Sequence, residues 1–99
     1  METENTKKSI EKILLEIRKL EKAEAEKRDL DGYLDCDEVC EIAIPIFKKY
    51  GFNVKPKVGI INGQSHMWLE TNEIIIDPTA DQFSLPKIRK KEMEVKTNE

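Results

Sequence analysis

Apolar side chains at Ile10, Ile13, Leu14, Ile17 and Leu20 recur at steps of three and four, the spacing that lines one face of an α-helix. Asn5 or Thr6 can cap its start, and the pattern predicts a helix over about residues 7–28. Past Leu20 the stripe gives way to Glu21-Lys22-Ala23-Glu24-Ala25-Glu26-Lys27-Arg28, good helix formers without an apolar face. This end reads as a solvated continuation that stops before Asp31-Gly32. A second helix is expected from Cys36 to about Tyr50. Asp35 stands at its cap, Asp37 and Glu38 suit the positive end of the helix dipole, and Gly51 is a natural stop. Val39, Ala43, Ile46, Phe47 and Tyr50 line its expected buried face. Pro45 predicts a kink or break, because an interior proline forfeits a hydrogen bond and crowds the carbonyl four residues back.

From Val54 the period shortens to that of strands. Lys55 to Ile61 leads into Asn62-Gly63, the strongest short hairpin signal. Ser65 to Thr71 alternates, and Glu73 to Asp77 carries three consecutive isoleucines. Helix, helix, then an antiparallel meander makes the class α+β. The expected architecture is an N-terminal helix and a cysteine-bearing helix packed on an antiparallel sheet of three strands or slightly more. A single domain over 1–99 has its core at about 32–83, and residues beyond Pro86 are expected to fray.

The hairpin registers can be worked out from loop parity. With Thr71-Asn72 as a two-residue turn, or a four-residue loop over Glu70 to Glu73, Trp68 pairs with Ile75 and His66 with Asp77. Any even loop keeps His66 and Asp77 on one face, whereas an odd loop or a bulge separates them. With Asn62-Gly63 as the other turn, Gly59 lies opposite His66. A residue without a side chain there leaves room beside the imidazole for a nucleophile or substrate, or marks a bulge or a close contact.

Composition sets limits on function. The chain has 99 residues, enough for one thin core, with 38% hydrophobic and 37% charged positions. No apolar run approaches the ~18–20 residues of a membrane span. The start, Met1-Glu2-Thr3-Glu4-Asn5, lacks the features of a secretory signal, so a cytoplasmic protein is expected. A net charge of −3 with interleaved signs gives no pull towards nucleic acid or an anionic membrane. Lys87, Arg89, Lys90 and Lys91, answered by Glu92 and Glu94, read as a solvated tail, since no aromatic residue lies among them to stack on bases.

Two cysteines, Cys36 and Cys40, stand four apart. One helix offers poor disulfide geometry, which favours reduced thiols. Cys36 begins the second helix, where unpaired N–H groups favour a thiolate. An imidazole can take the thiol proton, and a carboxylate can hold that imidazole in the right tautomer. Asp35, Asp37 and Glu38 oppose thiolate formation if their side chains face the sulfur. Cys40 falls one turn later and reads as core.

The segment Ser65-His66-Met67-Trp68-Leu69-Glu70, followed by Ile74-Ile75-Ile76-Asp77-Pro78-Thr79-Ala80-Asp81-Gln82-Phe83, resembles the His-x-Trp-(hydrophobic)-Glu … Asp-Pro-Thr signature of transglutaminase-like, papain-related thiol proteins. It is similar in particular to small bacterial and phage proteins ending in Asp-Pro-Thr-Ala-Asp-Gln-Phe. The likeness covers residues 32 to 83, including Gly32-Tyr33-Leu34-Asp35-Cys36 ahead of the helix. It implies a papain-like core with Cys36 as nucleophile, His66 as base and Asp77 as orienter. The implied activity is thiol-dependent acyl transfer on an amide or ester bond: peptidase, amidase, deamidase or transamidase. Such chemistry needs no cofactor and takes a protein or peptide-like substrate.

Each residue also has a plainer role. Cys36 and His66 can be structural, Asp77-Pro78-Thr79 can simply end a strand, and Trp68 can be core or wall a cleft. Gln82 and Phe83 read as a structural latch. Cys36, Cys40, His66 and Asp77 could together bind zinc, though the usual knuckle of closely spaced cysteines is missing. The rival from another class is a catalytically inactive member of the fold that binds or inhibits a protein partner.

Overall fold

Two helices lie on one face of a four-stranded antiparallel sheet in the computed structural model of the chain, which describes residues 4–91. Helix α1 spans Glu4–Lys27. Asn5 and Thr6 are therefore inside the helix, and its cap lies outside the described residues. Ile10, Ile13, Leu14 and Ile17 are buried as their spacing predicts, but Leu20 is 44% exposed. Glu21 and Ala25 take over the stripe, so the stretch after Leu20 is not simply solvated. Glu21 is only 4% exposed. It can be buried because both oxygens are satisfied: one accepts the Leu34 N–H at 2.9 Å and the other pairs with Arg18 at 3.1 Å.

Helix α2 spans Cys36–Lys49. Asp35 holds the cap position in an extended conformation, and its backbone carbonyl accepts the Val39 N–H at 3.0 Å. The helix is one element across Pro45, without the expected break. Pro45 and Glu41, whose carbonyl the proline leaves unpartnered, are both exposed, so water can reach the orphaned group. At the far end Gly51 takes a φ of +90°, and the Phe52 N–H reaches back to the Phe47 carbonyl at 2.9 Å. The two phenyl rings meet edge-on at 6.0 Å, completing a glycine-terminated stop with its apolar contact. Val39, Cys40, Ala43 and Phe47 form the buried face. Ile46 is half-buried and Tyr50 exposed, with its hydroxyl donating to Glu16 across to α1.

The strands β1 (Lys55–Ile61), β2 (Gln64–Glu70), β3 (Ile74–Ile76) and β4 (Ile88–Lys90) run in sequential order as a meander. Asn62 and Gly63 have φ of +52° and +79°, the backbone that a tight hairpin turn requires. Ile61 consequently pairs with Gln64 and Gly59 with His66, as predicted.

The second hairpin departs from its expected register by two residues. Its turn is Asn72-Glu73, closed by a Thr71 N–H to Ile74 carbonyl bond of 3.0 Å. The Thr71 hydroxyl accepts the amides of Glu73 and Ile74 and holds the turn there. Glu70 thus pairs with Ile75 and Leu69 with Ile76.

The segment expected to fray carries the fourth strand instead. Ile88 pairs with Ile76 and packs against the core, which secures Arg89 and Lys91 as well. Lys87, Arg89 and Lys91 are half-buried rather than a solvated tail; residues 92–99 lie outside the described residues. Among the described residues no helix is long and apolar enough to cross a membrane.

Candidate functional site

Strand alternation assigns each site residue to a face. Leu69, Ile76 and Ile88 form one row across β2, β3 and β4 and join the helix-packed core. The neighbouring row, Glu70, Ile75 and Arg89, therefore points to the opposite face. His66 and Trp68 share that second face with Glu70. Asp77 follows β3 directly, and its N–H donates to the Lys87 carbonyl at 2.7 Å, which extends the ladder by one rung. At that rung Asp77 is level with Trp68, not with His66.

The two predicted partners still meet. Both carboxylate oxygens of Asp77 lie 2.9 Å from Nε2 of His66. An even loop kept the pair on one face, and the two-residue register change converts a direct pairing into a diagonal one. Both side chains are buried, His66 at 1% and Asp77 at 0% exposure. A carboxylate accepts, so Nε2 donates its proton and Nδ1 is left as the open ring position. Nδ1 is buried with no hydrogen-bond partner, as is the Thr79 hydroxyl oxygen. Phe83 closes over the imidazole edge-to-face at 4.9 Å between centroids. The latch expected of Phe83 is thus a ring contact with His66; the Gln82 side chain lies outside the described residues.

The glycine opposite His66 does not leave an open space. The Trp68 ring lies over Gly59, so that a Cβ at this position would come within 2.6 Å of the indole Cη2. Half-buried Trp68 donates its indole N–H to Glu70 at 3.0 Å, and Lys91 pairs with the other Glu70 oxygen at 3.2 Å. Burial pushes the Glu70 carboxyl upward, but the bonds from Trp68 and Lys91 outweigh it and hold the group below its ordinary value.

The thiols differ sharply. Cys40 is 1% exposed, with its sulfur 3.7 Å from the Met67 carbonyl. Burial first, then the negative charge of Asp77, pushes this thiol up to about 12. It is an inert core cysteine, as expected. Cys36 is half-buried at the first turn of α2, and both cysteines are free. Asp35 and Asp37 are exposed and Glu38 pairs with Arg28 at 2.8 Å, so these acids turn to water or to a cation. No hydrogen bond joins Cys36 to His66, whose Nδ1 has no partner. Of the three predicted site residues, the fold thus brings His66 and Asp77 into contact, with Cys36 on the neighbouring helix. Cys36, Cys40, His66 and Asp77 do not make up a metal site: among the described residues no group of three or more His, Cys, Asp or Glu side chains could hold an ion.

Arg89 was missed by the sequence reading. Its Nη2 donates to Asp77 at 3.3 Å and its Nη1 to the Pro86 carbonyl at 3.0 Å. The alternation Lys87-Ile88-Arg89 is a strand signal, but too short to stand out beside a basic cluster.

No protein-family model, curated protein or solved structure matches the chain.

Proposed function

We propose that the chain is a thiol-dependent acyl-transfer protein of the papain-like, transglutaminase-like kind, with Cys36 as nucleophile, His66 as base and Asp77 as orienter. The observation that carries the reading is the buried His66 ring, tied at Nε2 to Asp77 while Nδ1 has no partner. A purely structural histidine ordinarily has both nitrogens satisfied, because an orphaned buried polar atom costs about 1–3 kcal/mol. An open Nδ1 is what a base needs to accept a thiol proton. Cys36 supplies a free, half-buried thiol at the start of α2. His66 lies on the face opposite the row that packs on the helices, so the reading requires the start of α2 to bring the Cys36 thiol round to Nδ1 when substrate binds.

The reaction runs in two steps. The Cys36 sulfur attacks an amide or ester carbonyl as His66 accepts the thiol proton. That proton then passes to the departing amine or alcohol, and a thioester remains on Cys36. Water releases an acid, and an amine instead gives transamidation. A protein or peptide-like substrate within the cytoplasm fits this chemistry.

The experiment is to incubate the protein with p-nitrophenyl acetate and locate the acetyl group by tandem mass spectrometry. Acetylation at Cys36, lost in Cys36→Ser and in His66→Ala, supports the reading. Acetylation spread over surface lysines with Cys36 unmodified overturns it.

A second reading rests on a specific feature of the same site. Phe83 covers the imidazole and no thiol touches it, which favours an inactive member of the fold that docks a protein partner. An unacylated Cys36 in a folded protein is the result that selects it.

A further inference from the structure

The face of the sheet opposite the helices carries a charge arrangement that the triad alone does not need. Asp77 is wholly buried and accepts from two sides, from His66 Nε2 at 2.9 Å and from Arg89 Nη2 at 3.3 Å. The guanidinium is itself anchored, since Nη1 donates to the Pro86 carbonyl and the residue is paired into β4 opposite Ile75. Asp77 is fixed through its backbone as well, by its N–H to the Lys87 carbonyl. Arg89 and the Asp77 backbone are thus both held by the segment running from Pro86 into β4.

We propose that Arg89 is a positioning residue that holds Asp77 charged and aimed at Nε2, and thereby keeps the His66 ring neutral with Nδ1 free to accept a proton. The proposal rests on the acyl-transfer reading for its purpose, but not for its test. A buried carboxylate demands a counter-charge. If His66 were the only candidate, the acid would draw a proton onto the imidazole and Nδ1 would become a donor, useless as a base. With Arg89 supplying the positive charge, the imidazole need only donate one hydrogen bond. The remaining charged groups near the pair are accounted for otherwise. Glu70, on the same face, is held by Trp68 and Lys91 and sensed by Lys57. Cys40 and Asp37 belong to α2, and Asp81 lies in the turn after Thr79. None of these side chains is hydrogen-bonded to the Asp77 carboxylate or the His66 ring.

His66 is the only histidine in the chain, so its ring gives a single, assigned NMR signal. The test is a pH titration of that signal in the wild-type protein and in Arg89→Met, Arg89→Gln and Arg89→Lys. In Arg89→Met and Arg89→Gln the midpoint moves to higher pH than in the wild type, and at each pH within the titration the ring nitrogen shifts lie closer to the imidazolium limit. Arg89→Lys, which keeps the charge but not the planar fork, stays close to wild type. If Arg89→Met does not fold, Arg89→Gln and Arg89→Lys carry the comparison. Folded Met or Gln variants that titrate with the wild type overturn the proposal. No thiol is involved, so the outcome is separate from whether Cys36 is acylated.

Discussion

Asp77 reaches His66 from two positions along the strand: level with Trp68 in the ladder, it turns both oxygens to within 2.9 Å of Nε2. The diagonal contact depends on the turn at Asn72-Glu73, and on β4 holding the Asp77 backbone from the other side. Removing the carboxylate leaves Arg89 without its partner and the imidazole without its acceptor. Asp77→Ala is expected to cost about 3–5 kcal/mol, the usual penalty for breaking a buried charged pair. Urea unfolding measures it. A loss below about 1 kcal/mol would mean that the pair is not formed in solution.

The indole of Trp68 fills the space above Gly59, where a methyl group would come to 2.6 Å. Gly59→Ala should push the ring aside, break its bond to Glu70 and cost about 1–3 kcal/mol. Trp68 is the only tryptophan, so its fluorescence reports the displacement directly. An unchanged emission spectrum and unchanged stability would show that the ring does not lie there.

Glu70 predicts an acid limb to stability. Its folded carboxyl titrates below the ordinary value, because the Trp68 and Lys91 bonds outweigh the cost of burial. The stabilisation is complete above the unfolded value of about 4.3 and is lost as pH falls through that value and then through the depressed folded one. Glu70→Gln should remove this limb while leaving stability at pH 7 to 9 little altered in its slope. Unfolding curves taken between pH 2 and 7 decide it.

At the alkaline end Cys40 acts with the opposite sign. Its thiol is held neutral to about 12, against 9.0 for an ordinary one. The unfolded chain ionises first, so stability declines as pH rises from about 9 towards 12. Cys40→Ala should flatten that decline, though at a cost in packing at all pH values. A decline of equal slope in the variant would exclude Cys40 as its source.

Much of this arrangement is legible from local rules. The spacing Ile10 to Ile17, the stop at Gly51 and the turn at Asn62-Gly63 each follow from short-range chemistry and appear where their residues dictate, and α2 starts after Asp35 although the Asp35 side chain makes no cap bond. Parity alone was enough to put His66 and Asp77 on one face. What local rules missed depends on distant partners. Glu21 looks like a surface acid until the Leu34 amide and Arg18 are there to satisfy it. Ile88-Arg89-Lys90 is too short to declare itself a strand and needs β3 to pair with. The second hairpin moved by two residues because the Thr71 hydroxyl stabilises a turn one position later than the simplest pairing. Arg89 stayed hidden for the same reason as β4.

The most direct test of the account is the rate at which iodoacetamide labels each cysteine at pH 6. Cys36 should react on the order of tenfold or more faster than a free thiol at that pH, with Cys40 unlabelled and His66→Ala returning Cys36 to the free-thiol rate. A Cys36 that reacts no faster than free cysteine, or that is indifferent to His66→Ala in a folded protein, contradicts it.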